Sequence, residues 1–289
     1  MKNGKSGNML SSRRRMRDNA LKMLICGGAA LTAALLIFIV LIIVHRGAPN
    51  ISWEFISTEE SILRGSVGIL PAIVNTVFVV LLSLLIALPV GIGAAIYLTE
   101  YASSRKLAAV IEFATEILAG IPSIIYALVG VIVFCSALGL QKTLLSGSLT
   151  LSLMVIPTII RTTQESLKTV PISYREGALG LGSGKWHMIR TVVLPSSMDG
   201  IVTGAILAIG RIVGESAVLL YTAFLSTSMQ NFSPGSILKA SGATLSAALY
   251  IYAKERADTD TAFAVALILL VLTALINAAA GFAGKKLKK

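Results

Sequence analysis

Six long apolar runs decide what this chain can fold into. They lie at 23–44, 74–98, 113–138, 145–160, 201–225 and 262–284. A bilayer core takes about 20 mostly apolar residues per helix, so each run but the short fourth is long enough to cross. The fourth holds Pro157, and the fifth holds two charges, Arg211 and Glu215. Composition closes the alternatives. Of 289 residues, 55% are hydrophobic and 13% charged, with a mean hydropathy of +0.82, against about 25% charged residues in an ordinary soluble domain. Soluble, disordered and collagen-like chains are thereby set aside. Two cysteines and two histidines support neither a disulfide scaffold nor a metal centre. The expected fold class is an all-α polytopic membrane protein with six transmembrane helices.

Orientation follows from counting Lys and Arg between the runs. The tail through Lys22 carries seven, the second loop two (Arg105 and Lys106), the stretch after the fourth run five (Arg161, Lys168, Arg175, Lys185 and Arg190) and the C-tail four. The opposite side carries six, and Arg211 lies within a run. The basic side reads as cytoplasmic, which puts both termini there. The same distribution accounts for the net charge of +11 without nucleic acid. The apolar run after the basic start is longer than the about 7–15 residues of a signal-peptide core, so the first span is expected to remain as an anchor. The organisation expected is a basic tail 1–22, a first helix and external segment 23–67, a transmembrane body 68–284 and a basic tail 285–289. The outer stretch 49–64, with Trp53, Phe55 and three glutamates, fits a short amphipathic segment at the interface.

The polar stretch 161–195 is too polar to span and too patterned for a loose linker. Ser173 and Glu176 have the spacing of a capping box, predicting a helix to about Leu181, a break at Gly182-Ser183-Gly184 and a second helix over 185–193 ended by Leu194-Pro195. The sequence Gly182-Ser183-Gly184-Lys185 is not a P-loop. The position five before Gly184 is Leu179, and Trp186 follows the lysine, where the motif needs Gly and Ser or Thr. Nor does Gly180-Leu181-Gly182 complete a dinucleotide fingerprint, because Lys185 stands at the third glycine position.

That stretch resembles the signature loop of bacterial ABC importer permeases: Glu176-Gly177-Ala178, then Gly182 six residues after the glutamate, then Val192 and Leu194-Pro195. Gly177 departs from the commoner alanine. Other stretches are similar to the phosphate-specific importers, and more to their second (PstA-type) permease than to the first. These are 68–76, 87–102, 118–126 and the fifth-run segment 210–217; Ser216-Ala217-Val218 departs from the Thr-Ala-Pro of the family. The resemblance, over about 68–284, implies the type I importer fold with a cytoplasmic coupling helix. It implies a homologous permease partner, a homodimer of ATPases that holds the ATP and Mg, and an extracytoplasmic phosphate-binding protein that delivers inorganic phosphate. On this resemblance Glu176, Ala178, Gly182, Leu194 and Pro195 belong to the ATPase-coupling loop. Ala178, Leu179, Trp186 and Ile189 are its expected apolar knobs.

Arg211 and Glu215 are four apart, so a continuous helix would put them on one face, with Gly204, Ala208, Val218 and Thr222. An arginine at the bilayer centre costs about 2.5–3.5 kcal/mol on insertion scales, so it should face a partner helix or a watery path. Guanidinium donors match phosphate oxygens in pairs. The expected substrate pathway is therefore Arg211, held by Glu215; an internal ion pair that only locks helices is the plainer alternative. Arg161 and Glu165 form a second such pair at the cytoplasmic end of the fourth run, with a structural or coupling role. Glu112 and Glu116 are expected to be solvated nearby. Pro89, Pro122 and Pro157 are expected to kink or start helices, and Cys26 and Cys135 to pack.

Three other functions compete. An intramembrane enzyme needs a nucleophile with a Lys, His or paired-Asp partner inside the spans, and none of the six runs contains Asp, His or Lys. A membrane scaffold leaves Arg211 and the loop unexplained. A permease for another oxyanion, such as molybdate or sulfate, is the nearest rival. No catalytic or metal-ligating residue is expected, and no cofactor on this chain itself.

Overall fold

A computed structural model describes residues 12–61, 66–224 and 240–287. The first half of the basic tail, part of the external segment, the first part of the loop that follows the fifth run, and the last two lysines lie outside the described residues.

Among the described residues four helices are long and apolar enough to cross a bilayer, or up to six if each of two bent pairs counts as one span. Helix α1 (Ser12–Gly47) is followed outside by α2 (Trp53–Ser57) and a hairpin of β1 (Glu59–Ser61) and β2 (Ser66–Ile69), with Glu59 opposite Ile69. Ser52 caps α2 by accepting the Phe55 amide, and Phe55 is buried, as an amphipathic outer segment requires. Helix α3 (Leu70–Ile96) opens on Pro71, whose fixed φ suits a first turn, and runs on into a π-helical turn, Tyr97–Tyr101. Pro89 sits inside α3.

The third run is not one straight span. It forms α4 (Arg105–Gly120), then α5 (Ser123–Gly130) with a further π turn, Val131–Ala137, and the two halves meet at 100°. Pro122 is the cause: it disfavours helical backbone in the residue before it, and Ile121 is extended, with ψ 132°. The Tyr126 hydroxyl donates to the Leu118 carbonyl at 2.7 Å and holds the bend.

The fourth run is longer than its apolar stretch. Helix α6 (Leu144–Thr169) starts at the Thr143 cap, passes Pro157 without ending and carries the polar residues 161–169 as its last turns. The coupling stretch therefore leaves the helix after Thr169 rather than at Arg161. Two of its own helices, α7 (Ile172–Gly180) and α8 (Lys185–Met188), follow. A π turn, Ile189–Val193, and α9 (Leu194–Ser196) lead at 67° into α10 (Met198–Gly214). The fifth span breaks beyond Gly214 and resumes as α11 (Ala217–Thr222). A short outer helix, α12 (Leu245–Tyr250), with its π turn Ile251–Glu255, precedes α13 (Thr259–Leu287).

Helix α6 is the centre of the packing: Leu144, Leu151, Met154, Val155 and Ile159 are all buried. In lipid, helices associate through close packing and polar contacts rather than a hydrophobic force, and α6 uses both. Along its parallel contact with α3 the Ser83 hydroxyl donates to the Ser148 carbonyl at 3.2 Å, and the Ser152 hydroxyl reaches back to the Ser83 carbonyl at 3.1 Å. Further in, Gly91 leaves room for Ile159, and on the other flank Gly204 of α10 leaves room for Thr162. On the outer side, Thr76 accepts the Leu245 amide at 2.9 Å and Asn75 donates to the Ala243 carbonyl at 3.0 Å, tying α12 to α3. The apolar stretch of α1 is unburied within the chain and packs on α13. Gly47 abuts Phe263, and Val40 lines the same groove as Ala274. The two helices therefore run antiparallel, with the start of α1 and the end of α13 at one face.

Candidate functional site

The elbow of α7 and α8 is built differently at its two ends from what the sequence pattern predicts. The capping box does not form. Helix α7 begins directly after Pro171, with no side-chain cap, so Ser173 lies inside the first turn. The other end is a Schellman motif: Ser183 N–H donates to Ala178 O at 3.1 Å and Gly182 N–H to Leu179 O at 3.0 Å. Gly182 has φ +82°, a conformation costly for any residue with a Cβ. Leu194-Pro195 does not end the following helix. Pro195 lies near the end of a helical run that continues from Lys185 to Ser196, and the chain turns at Ser197 instead.

Of the expected knobs, Leu179 and Trp186 are exposed. Ala178 packs inward beside Met188, Ile189 and Val193, and Ile189 is fully buried. Ile172, Tyr174 and Leu181 are exposed as well, the last 91%. Glu176, Gly182 and Pro195 are exposed and Leu194 half-buried. An apolar patch of this kind on a polar elbow is the form of a protein docking face.

Arg175, which the sequence reading counted only as a charge, is the most connected side chain of the elbow. Its Nε and Nη2 donate to Glu100 Oε1 at 3.1 and 2.9 Å. Nη1 donates to the Val170 carbonyl at 2.6 Å and Nη2 to that of Leu167 at 2.9 Å. The pair is largely shielded from solvent, with side-chain exposures of 18% for Arg175 and 7% for Glu100. In the other half of the elbow the Lys185 ammonium lies 4.9 Å over the Tyr101 ring.

Beside the elbow, α4 and α6 enclose a cleft of about 370 Å³. Arg161 Nε meets Glu165 at 3.3 Å, as expected, and its Nη1 also meets Glu116 at 3.5 Å. Lys168 meets Glu112 at 3.7 Å, and Gln164 donates to Glu112 at 3.1 Å. Glu112 and Glu116 are thus paired rather than simply solvated. All the charged members are about half or more exposed, so each pair is worth at most about 1 kcal/mol.

In the fifth span the shared helix face of Arg211 and Glu215 is overturned. Helix α10 ends at Gly214, and Glu215 is extended, with φ −85° and ψ 110°. Its carboxylate accepts the Val218 amide, and its carbonyl accepts the Ser246 hydroxyl at 3.0 Å. Glycine and a local side-chain acceptor both favour a break there. Arg211 is half-buried. Among the described residues it has no ion-pair partner.

A family model described as "Binding-protein-dependent transport system inner membrane component" matches residues 87–289. The "Probable ABC transporter permease protein YqgI" of Bacillus subtilis (strain 168) is 35% identical over 204 residues, 71% of this chain and 69% of that protein. The "Phosphate transport system permease protein PstA" of Mycobacterium leprae (strain TN) is 31% identical over 276 residues, 93% of this chain and 88% of that protein. A chain of the bacterial alginate ABC transporter, solved in complex with an alginate pentasaccharide-bound periplasmic protein, superimposes with a TM-score of 0.68. It covers 95% of this chain and 96% of that one at 19% identity, a likeness of fold.

Proposed function

This chain belongs to the binding-protein-dependent transport system inner membrane component family, and we propose that it is one of two permeases of an ATP-driven importer for inorganic phosphate. It is a multi-pass membrane protein, and the proposal places it in the bacterial inner membrane with both termini cytoplasmic. A homologous permease supplies the other half of the path, an extracytoplasmic phosphate-binding protein delivers the anion, and a homodimer of ATPases carries the ATP and Mg. The elbow of α7 and α8, with Glu176, Ala178, Gly182, Leu194 and Pro195, docks the ATPase through its exposed apolar face.

The observation that carries the substrate reading is Arg211, a half-buried cation in a broken span whose neighbouring carboxylate is engaged elsewhere. A guanidinium without a carboxylate partner keeps its planar fork for an oxyanion. It attracts phosphate most where water is scarce. The phosphate-transport relatives support the same substrate. Glu215 does not hold Arg211 in this reading; it fixes the break beside it. Arg161 and Glu165, with Glu116, belong to the cytoplasmic mouth.

The test is radiolabelled phosphate uptake by proteoliposomes containing both permeases and the ATPase, with the binding protein outside. Uptake that needs ATP and is not displaced by molybdate or sulfate is the expected result. Transport of molybdate or sulfate in preference to phosphate would move the assignment to another oxyanion.

A further inference from the structure

We propose that Arg175 is a positioning residue for coupling: it fastens the elbow to α3 and α6, so that displacement of the docked ATPase reaches both spans as one rigid movement. The inference rests on the reading of the elbow as the ATPase-docking element and adds how the motion leaves it.

Three elements meet at one guanidinium. Leu167 and Val170 lie at and just beyond the last turn of α6, at the negative end of the helix dipole; the Leu167 carbonyl accepts the Val170 amide at 3.3 Å, and Arg175 donates to both carbonyls. Glu100 lies in the π turn that continues α3, and Arg175 itself is in the second turn of α7. Four donor contacts on one planar group fix orientation as well as distance. The compact ammonium of a lysine would fix distance alone. Lys185 over Tyr101 adds a second attachment to the same π turn from the other half of the elbow. Beneath both, Leu98, Leu167, Val170, Met188, Ile189 and Val193 form a buried apolar cluster. The exposed apolar side chains Leu179, Leu181 and Trp186 lie outside this cluster.

Stability alone is a poor reason for this arrangement. Replacing a buried ion pair by apolar groups of similar size is often neutral or stabilising. What such a replacement removes here is the angular definition of the joint. Without the node the elbow stays folded on its apolar cluster and still presents Leu179, Leu181 and Trp186, but it pivots instead of transmitting.

The experiment uses the full complex in proteoliposomes and reads phosphate imported per ATP hydrolysed. The double variant Arg175→Met/Glu100→Gln removes the pair without leaving a buried unpaired charge. It should assemble and retain the ATPase, while phosphate imported per ATP falls about tenfold, within the 5–150-fold range typical of coupling between sites. Arg175→Lys keeps the charge and loses the fork, and should show a smaller fall in the same ratio. An unchanged ratio in Arg175→Lys and in the assembled double variant would overturn the proposal. So would loss of membrane abundance in the double variant with a normal ratio in Arg175→Lys, which assigns the pair to stability. Docking is read separately: Leu181→Glu should release the ATPase, and its retention would refute the docking reading itself.

Discussion

The Glu215 carboxylate accepts the Val218 backbone amide at 3.3 Å, which commits this charge to the start of α11 and leaves Arg211 to act alone. Arg211→Gln should therefore abolish phosphate uptake at normal membrane abundance, and Arg211→Lys should be poorer than wild type. Glu215→Gln keeps an acceptor for Val218 and should assemble normally. Because the two side chains share no partner, Glu215→Gln should retain uptake where Arg211→Gln leaves none. Full uptake by Arg211→Gln at normal abundance would contradict this reading.

The orientation is open to labelling. Single cysteines at Lys168 and Lys286 should react with an impermeant maleimide only from the cytoplasmic side, and a cysteine at Trp53 only from outside. Reaction of the Lys286 position from outside would break the six-span topology.

Two of the elbow's four glycines should answer a methyl group with opposite signs. Gly177 is mid-helix with open space around its Cβ position, so Gly177→Ala should stabilise by about 1 kcal/mol. Gly182 also has open space but a φ of +82°, so Gly182→Ala should destabilise by about 1 kcal/mol. Gly182→Trp adds bulk on the docking face and should uncouple transport. Limited proteolysis of the elbow in the purified complex separates these outcomes.

The cap of the last span should be sensitive to acid. Asp258 Oδ1 accepts the Thr261 amide at 3.1 Å. The Thr261 hydroxyl first, then its amide, hold the Asp258 carboxyl below the usual carboxylate range. A folded value below the unfolded one means the contribution is complete above the ordinary carboxylate value, about 3.9. It is lost as pH falls through the lower folded value. Asp258→Ala should cost about 1 kcal/mol at neutral pH, and thermal unfolding curves of variant and wild type should converge in strong acid.

The spans were legible because hydropathy over about 20 residues is a bulk property. The breaks were not. Pro122 divides its span at 100° while Pro157 lies inside an unbroken α6. A proline shows that an N–H is missing; packing decides whether the helix survives it. Arg161 and Glu165 could be paired from spacing alone, whereas Glu116 and Glu112 reach Arg161 and Lys168 only because α4 lies against α6. The i,i+4 spacing of Arg211 and Glu215 misled for a local reason: Gly214 and the Glu215 carboxylate together end the helix that the spacing assumes. Arg175 and Glu100 stand 75 residues apart, and only the fold joins them. The apolar elbow face was half visible: Leu179 and Trp186 point out as expected, but Ala178 and Ile189 turn in, and Leu181 takes their place.

The two serine contacts between α3 and α6 bear on how the inserted helices find one another. Ser83 and Ser152 match hydroxyl to carbonyl in one alignment, and that alignment also brings Ile159 onto the bare backbone of Gly91. A slip of one turn would set Ile159 against Ala87 or Ala95, where a Cβ fills the space that Gly91 leaves open. Lipid offers little preference among alignments of two apolar cylinders, and the bare backbone of Gly91 favours this one over its neighbours.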